Sequence, residues 1–315
     1  MPRPRFFLPN LWYLESGYWI LTAVKPLDFL LLLMILIWGS NFSVVKVALR
    51  DFPEVPFNTM RMLVGTTVFL AAIRWTRDPA RPRPPLTRRD WWELACLGLV
   101  GTFLYQLCFV GGVRRTSVAN GSLIIGTSPI VISLLSAIAG HERIRPLRWA
   151  GVLTALLGLY FVVGHGVDFT AATFRGDLLM MAGVLCWAVY SVASQPILKR
   201  HSPLVVIGLT FSIGGLIYVF LMMPILFDVD WGAVSGLSWF LMLASALLAL
   251  NLSYWIWYTG LKKLGGSRTS VYSYLTPIVA MVVAAVWLGE PITGNQIAGA
   301  SAILAGLLIT RFTPA

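Results

Sequence analysis

Ten long apolar runs constrain this 315-residue chain more than any other feature of its sequence. About 20 apolar residues, rising about 1.5 Å each as a helix, cross the hydrocarbon core of a bilayer. Only helices and closed barrels satisfy their backbone in lipid, and these runs lack the strict alternation of a barrel strand. The sequence therefore predicts an all-α membrane protein with ten transmembrane helices, over Leu27–Leu49, Phe57–Trp75, Trp91–Val113, Ser117–Ala139, Pro146–Gly164, Gly176–Leu198, Pro203–Phe227, Leu237–Leu261, Thr269–Leu288 and Ile292–Phe312.

The lysines and arginines are concentrated in alternate connections between these runs. With the N-terminus in the cytoplasm, eighteen of them lie on the cytoplasmic side and four on the outer side. Such an excess of basic residues marks the cytoplasmic loops of membrane proteins. The pattern predicts a multi-pass protein of the cytoplasmic (inner) membrane with both termini inside. It also accounts for the net charge of +11 without a single basic patch, which argues against a nucleic-acid partner.

The second half of the chain repeats the first. When residues 112–159 are placed on 260–307, thirteen positions are identical, whereas composition alone would give about four. The matched pairs include Pro129/Pro277 and Glu142/Glu290, and at an offset of 149 Trp38 falls on Trp187. Each half holds five runs, an odd number, so the second copy must cross the membrane in the opposite sense. Inverted repeats are typical of secondary transporters, which bind their substrate between the halves.

The repeated segments resemble the EamA family of the drug/metabolite transporter superfamily. The resemblance covers about residues 26–312, and it depends on an ordered set of short segments more than on any one of them. These segments are Trp38–Phe42 with Lys46, Arg61–Leu63, Thr116–Asn120, Pro129, His141–Ile144, Gly151 with Gly158, and Ser270–Gly306 with Pro277 and Leu288–Pro291. The resemblance implies ten helices, a central cavity and the export of amino acids, metabolites or drugs.

Three segments follow from the repeat and this resemblance. Residues 1–26 form an aromatic and basic leader, residues 27–165 a first EamA-like five-helix repeat, and residues 176–312 a second. The long leader departs from the usual start of the family close to its first helix. Its aromatic side chains suit a membrane interface, but they also fit a poorly ordered extension.

Polar and aromatic side chains inside the runs are the candidate substrate-binding residues. Lys46 and Arg61 are the two cations within runs, and a charge there should face a cavity or a partner. Lys46 could instead extend to the outer headgroups, and Arg61 could bind backbone carbonyls. Helical spacing groups further residues on single faces, where they line a cavity or pack helices together. The predicted binding residues are Trp38, Asn41, Lys46, Arg61, Gln106, Trp187, Tyr190, Tyr254, Trp255 and Tyr258.

Pro129 and Pro277 occupy matching places in the fourth and ninth runs. Each removes a backbone hydrogen bond and can kink its helix, so both are candidate hinges for a conformational change, unless the kinks are static. Close packing of the fifth and tenth runs is expected at their paired glycines.

Catalytic and metal-binding chemistry is not expected. No histidine lies in the core of a run, no acid lies in its middle, and the sequence contains neither HExxH nor GxSxG. The three cysteines lie in apolar runs without a CxxC spacing, which leaves no pattern for metal or redox work. We therefore expect a protein that is not an enzyme and needs no cofactor.

The sequence predicts a secondary transporter and exporter of small amphipathic metabolites such as amino acids, or drugs, working by alternating access. A membrane channel or facilitator for small solutes is the alternative. The expected partners are a small-molecule substrate and membrane lipids, and monomer and homodimer both remain open.

Overall fold

The structure, a computed structural model, describes residues 26–76, 83–140, 150–151, 153–154, 157–158, 161, 172–264, 266–273 and 275–312. Within these residues every regular element is helical, as the sequence predicts. The predicted leader, the residues around Glu142 and most of the run Pro146–Gly164 lie outside the described residues.

The described residues between 150 and 161 are helical, and the structure gives the bounds of nine further helices, labelled α1 to α9. Six of them are long and apolar enough to cross a membrane: α1, α3, α4, α5, α6 and α7. Their bounds are α1 Pro26–Ala48, α2 Glu54–Trp75, α3 Arg88–Arg115, α4 Val118–Ile138, α5 Ala172–Ala193 continued by Gln195–Arg200, α6 Pro203–Leu226, α7 Gly236–Leu264, α8 Gly266–Ser273 followed by Thr276–Leu288, and α9 Gly294–Phe312.

The polarity of the bundle is that of a protein surrounded by lipid. Polar side chains such as Arg61, Gln106 and Asn58 are at most 1% exposed, whereas Phe220 and Phe240 are 76% and 66% exposed. In water such an arrangement would leave large apolar areas unburied. In a bilayer those areas face the acyl chains, and the polar groups are kept for the interior.

Close contacts fix the direction of the helices. Lys46, near the end of α1, donates a hydrogen bond of 3.0 Å to the carbonyl of Val113, so α1 and α3 end at the same side of the bundle. That end of α3 also meets the start of α5, because a Cβ on Gly176 would lie 2.7 Å from the backbone of Arg115. Helix α5 therefore runs opposite to α1 and α3. We call the end at which α1 and α3 begin the basic end, and the other the opposite end.

Helices α2 and α6 pack directly against each other and are also antiparallel. A Cβ on Gly215 would lie 2.6 Å from the Thr66 hydroxyl, and one on Gly208 would lie 2.6 Å from Ile73. These glycines let the two helices approach closely, as small residues do at helix interfaces in membranes.

Two kinds of irregularity interrupt the helices, and each kind occurs once in each half. The segments Leu99–Leu104 in α3 and Ser245–Leu252 in α7 are π-helical, and such segments are often found at functional sites. Helix α4 breaks before Ser128, and α8 breaks before Thr276. The sequence predicts kinks at Pro129 and Pro277, but each proline instead lies in the first turn of a new helical piece. Proline is favoured there, because the N–H that it lacks has no partner within the helix.

Candidate functional site

A cavity with an empty volume of about 610 Å³ lies between the two halves of the bundle. Side chains from α1, α2, α3, α4, α5, α7 and α8 line it: Trp38, Asn41, Phe42, Arg61, Tyr105, Gln106, Phe109, Ile125, Ser128, Trp187, Ala249, Leu250, Tyr254, Ser273 and Thr276.

Repeat-equivalent residues meet across this cavity. Trp38 and Trp187 stand 149 residues apart in sequence, and their ring centroids are 5.7 Å apart. Gln106 and Tyr254 stand 148 residues apart, and the Gln106 amide donates a 3.2 Å hydrogen bond to the Tyr254 hydroxyl. The same offset separates two more lining pairs, Ile125/Ser273 and Ser128/Thr276.

An aromatic cluster forms one wall of the cavity. The Trp38 ring packs edge-on against Trp187 and Tyr254, and its centroid lies 5.6 Å from that of Trp257. Its indole N–H donates a hydrogen bond of 3.0 Å to the carbonyl of Ala249, within the π-helical segment of α7. Trp38 is partly buried, and this hydrogen bond fixes the plane of its ring.

Arg61 is the charged group of the cavity, and it is 0% exposed. Its Nη1 lies 3.4 Å from Asn58 Oδ1, and its guanidinium carbon lies 5.4 Å from the centre of the Phe57 ring. Its Nε and Nη2 have no hydrogen-bond partner, and no acid pairs with it among the described residues. An unpaired buried charge is costly, so the site favours an anionic ligand group.

Two amides contribute the directional polar groups. Gln106 is 1% exposed, and its Oε1 is left without a partner while its amide nitrogen binds Tyr254. Asn41 accepts a 2.6 Å hydrogen bond from the Ser245 hydroxyl, which joins α1 to the π-helical segment of α7. The cavity therefore combines a cation, a free amide acceptor and aromatic faces.

Six of the ten predicted binding residues line the cavity: Trp38, Asn41, Arg61, Gln106, Trp187 and Tyr254. Lys46 does not, because its ammonium group donates to the carbonyls of Val113 and Thr116 at the end of α3. Because its ammonium group binds these carbonyls, Lys46 does not extend toward the lipid headgroups, which is the alternative that the sequence allows. Cations at a helix C-terminus satisfy its last carbonyls in this way.

Tyr190 and Tyr258 are fully buried behind the cavity. The Tyr190 hydroxyl bonds Thr210 Oγ1 at 2.8 Å, and its ring lies over Gly101, where a Cβ would approach it to 2.2 Å. Thr210 is the repeat counterpart of Arg61 and Tyr190 that of Asn41, at an offset of 149. The positions of Asn41 and Arg61 in the first half are thus held by Tyr190 and Thr210 in the second.

Trp255 lies outside the cavity and is 37% exposed. Its predicted place depends on counting four residues from Asn251 along a regular α-helix. Asn251 lies in the π-helical segment, where the wider turn rotates the following residues relative to that count. Tyr254 therefore faces the cavity, and Trp255 turns away from it.

Several lining residues are absent from the sequence-based set. Ser128 and Thr276 begin the second pieces of the broken helices, and the repeat alone could have pointed to them because each precedes a matched proline. Tyr105 and Phe109 carry no such signal. Their rings stack with centroids 5.9 Å apart, and their neighbour Gln106 is the only indication from the sequence.

No cluster of metal-binding side chains occurs in the part of the chain that the structure describes. The buried hydroxyls and amides around the cavity also lack the paired nucleophile and base that a hydrolytic site needs.

Comparison with known proteins supports a transporter. The EamA-like transporter family model matches residues 25–164 and again residues 174–312. An uncharacterized transporter of Bacillus subtilis is 27% identical over 86% of this chain and 88% of its own length. A probable amino-acid metabolite efflux pump of Salmonella typhimurium is 29% identical over 90% of this chain and 94% of its own.

A solved crystal structure shares the fold. It superposes with a TM-score of 0.67 at 22% identity, over 90% of this chain and 96% of its own. The family and these relatives are transporters and not enzymes. The chain belongs to the EamA-like transporter family.

Proposed function

We propose that this protein is a secondary transporter that exports small amphipathic metabolites, such as amino acids or drugs, by alternating access. The observation that carries the proposal is the cavity lined by equivalent residues of both halves, with an unpaired arginine inside it. The name of the Salmonella relative, an efflux pump for amino-acid metabolites, supports both the direction and the substrate class.

Alternating access would use two inverted five-helix repeats, residues 27–165 and 176–312, with ten helices in all. The antiparallel pairs support this arrangement, since α5 is the counterpart of α1 and runs opposite to it. Helices α2 and α6 are also counterparts, and they too are antiparallel. A rocking motion about the shared axis would expose the cavity to each side in turn.

The basic end would face the cytoplasm, in the inner membrane, with both termini inside. Arg88, Arg89, Lys199, Arg200 and Lys262 all lie at this end among the described residues. Basic residues at cytoplasmic ends set the orientation of membrane proteins.

The substrate would carry a carboxylate and an apolar body. Arg61 would bind the carboxylate through its unpartnered Nε and Nη2, and the free Oε1 of Gln106 would accept a hydrogen bond from an amine. Trp38, Trp187 and Tyr254 would contact the apolar side chain. Tyr190 and Tyr258 would support these rings from behind, while Lys46 and Trp255 have no contact with the cavity.

Purified protein in proteoliposomes tests the proposal. Uptake of radiolabelled leucine and phenylalanine should saturate and should be stimulated by unlabelled substrate on the other side. A flux that neither saturates nor responds to counter-substrate would instead indicate a channel or facilitator.

The site is tested by comparing Tyr254→Ala with its neighbour Trp255→Ala. Loss of one cavity ring should raise KM several-fold, since an aromatic contact contributes about 0.5–1.5 kcal/mol. The Trp255 variant, on the outer surface of the same helix, should keep wild-type kinetics. Equal kinetics in both variants would place the substrate elsewhere.

A further inference from the structure

At the basic end, a charged contact joins the two halves. Arg200, at the end of α5, donates from Nε to Asp90 Oδ1 at 3.0 Å and also pairs with Glu93. His201 Nε2 lies 3.3 Å from the other oxygen of Asp90. The Asp90 and His201 side chains are 3% and 4% exposed, whereas those of Arg200 and Glu93 are 38% and 26% exposed, so water is excluded only from the Asp90 side of this contact. We call these four residues the charged contact.

At the opposite end, a second contact joins the halves without an ion pair. Asp51, between α1 and α2, accepts a 3.0 Å hydrogen bond from the backbone N–H of Ser235 and another from the Ser238 hydroxyl. Ser235 caps α7, because its hydroxyl accepts from the Ser238 N–H at 3.2 Å. We call Asp51, Ser235 and Ser238 the uncharged contact, because the partners of the Asp51 carboxylate are neutral and no ion pair forms.

The two contacts are repeat counterparts of each other. Thr87 caps α3 as Ser235 caps α7, and the two stand 148 residues apart. The same offset relates Asp90 to Ser238, and an offset of 149 relates Asp51 to Arg200. In each contact, the connection after the first helix of one half therefore meets the start of the third helix of the other half. The inverted arrangement places the two contacts at opposite ends.

Only the chemistry distinguishes them. Hydrogen bonds to a carboxylate occur in both contacts, but only the charged contact adds attraction between opposite charges, and the burial of Asp90 reduces the screening of that attraction by salt. The charged contact has two carboxylates, a guanidinium and an imidazole, whereas the uncharged contact has one carboxylate and two serines.

We propose that these two contacts are the gates of the transporter, and that their unequal chemistry biases the resting protein toward closure at the basic end. Each contact joins one half to the other, so each must break when its end opens. Both contacts are made at once in this structure. The proposal depends on the proposed alternating access and adds to it a direction of bias, toward access from the opposite end.

Access to the cavity from each side tests the gates without transport. Ser128→Cys, in a background with the three native cysteines replaced by serine, places a thiol in the cavity wall. Proteoliposomes of known orientation are treated with a membrane-impermeant maleimide from either side. The parent should react faster from the opposite end than from the basic end.

Neutralising each contact should shift this preference in opposite directions. Arg200→Gln should raise the labelling rate from the basic end at least threefold and lower it from the opposite end. Asp51→Asn should do the reverse, and Arg200→Lys should remain close to the parent because it keeps the charge. Size-exclusion profiles and melting temperatures check that each variant is folded.

Two outcomes would overturn the gates. Unchanged labelling in both Arg200→Gln and Asp51→Asn would show that the two contacts do not control access. Equal acceleration from both sides would indicate loosening of the whole bundle and would also contradict the proposal. The proposed transport function is tested separately. If uptake does not saturate while the labelling still shifts between the variants, transport is contradicted and the gates are not.

Discussion

Arg61 presents two nitrogen donors without partners inside a membrane protein, and this has a consequence for stability. A charge in such a place costs at least about 2.5–3.5 kcal/mol on insertion scales, and neutralising it removes that cost. Functional sites are often less stable than they could be, because binding requires groups that stay unpaired until the ligand arrives.

Arg61→Gln is therefore expected to melt at or above the temperature of the wild type without substrate. It should lose the stabilisation that a carboxylate substrate gives the wild type, which is about 2.7 kcal/mol at a concentration of 100 Kd. Thermal unfolding in detergent, with and without leucine, measures both effects. A variant that melts well below the wild type would show that Arg61 holds the fold together.

Lys46 should behave in the opposite way, because its charge is satisfied by carbonyls at the end of α3. Lys46→Met leaves those carbonyls without their donor and should destabilise the protein by about 1–2 kcal/mol. Substrate affinity should stay the same, because Lys46 does not line the cavity. A changed KM with unchanged stability would contradict this assignment.

The uncharged contact should not respond to pH near neutrality. Hydrogen bonds from Ser235 and Ser238 lower the pKa of Asp51 below its usual value, so the carboxylate persists until the pH falls through that lowered pKa. The uncharged contact is then constant between pH 5.5 and 8.

Labelling of Ser128→Cys from the opposite end should therefore stay constant as the pH rises from 5.5 to 8, after correction for the reactivity of the thiol. Asp51→Asn, which has no charge to lose, should show the same flat profile. A rate that changes with pH in the parent but not in Asp51→Asn would contradict an ionised Asp51.

At the scale of the elements, apolar runs predict the helices well but not their irregularities. Length and polarity locate α1 to α9 within a few residues, because only a helix satisfies the backbone in lipid. The π-helical segments and the breaks before Ser128 and Thr276 have no such simple signal. They depend on which carbonyls find partners in neighbouring helices, as Ala249 does with Trp38. Regular helical spacing therefore places Trp255 at the cavity and gives no indication of Tyr105.

The contact of α3 with α5 offers a matched pair of glycine variants. A Cβ at Gly101 would lie 2.2 Å from the Tyr190 ring, whereas at Gly183 the nearest side-chain atom is 3.6 Å away. Gly101→Ala should cost about 1–3 kcal/mol through overpacking, and Gly183→Ala should be tolerated. Unfolding in denaturant measures both, and equal stability of the two variants would contradict the close approach of Tyr190.

The broken helices α4 and α8 are the elements best placed to bend. Replacing both Pro129 and Pro277 by alanine restores an N–H in each first turn and allows the two pieces to join. We expect slower transport with little change in substrate affinity. Counterflow rates and binding by thermal shift separate the two effects, and an unchanged rate would leave the breaks as static features.

At the scale of the whole molecule, the proposed inverted repeat predicts on which side of the membrane equivalent residues lie. Arg88 and Gly236 stand 148 residues apart, each opens the third helix of its half, and both are exposed. In an inverted arrangement these equivalent residues lie on opposite sides of the membrane. Halves related by an axis along the membrane normal would place them on the same side. The charge bias further predicts that Arg88 lies on the cytoplasmic side.

Arg88→Cys and Gly236→Cys, each in the cysteine-free background, should therefore label from different sides of intact cells. An impermeant maleimide added outside should modify Gly236→Cys directly and reach Arg88→Cys only after the membrane is permeabilised. Both positions are open to solvent, with no atom within 4 Å of a Cβ at Gly236, so accessibility depends on sidedness and not on packing. Labelling of both from outside would exclude inversion, and labelling of Arg88→Cys alone would reverse the orientation while keeping the repeat.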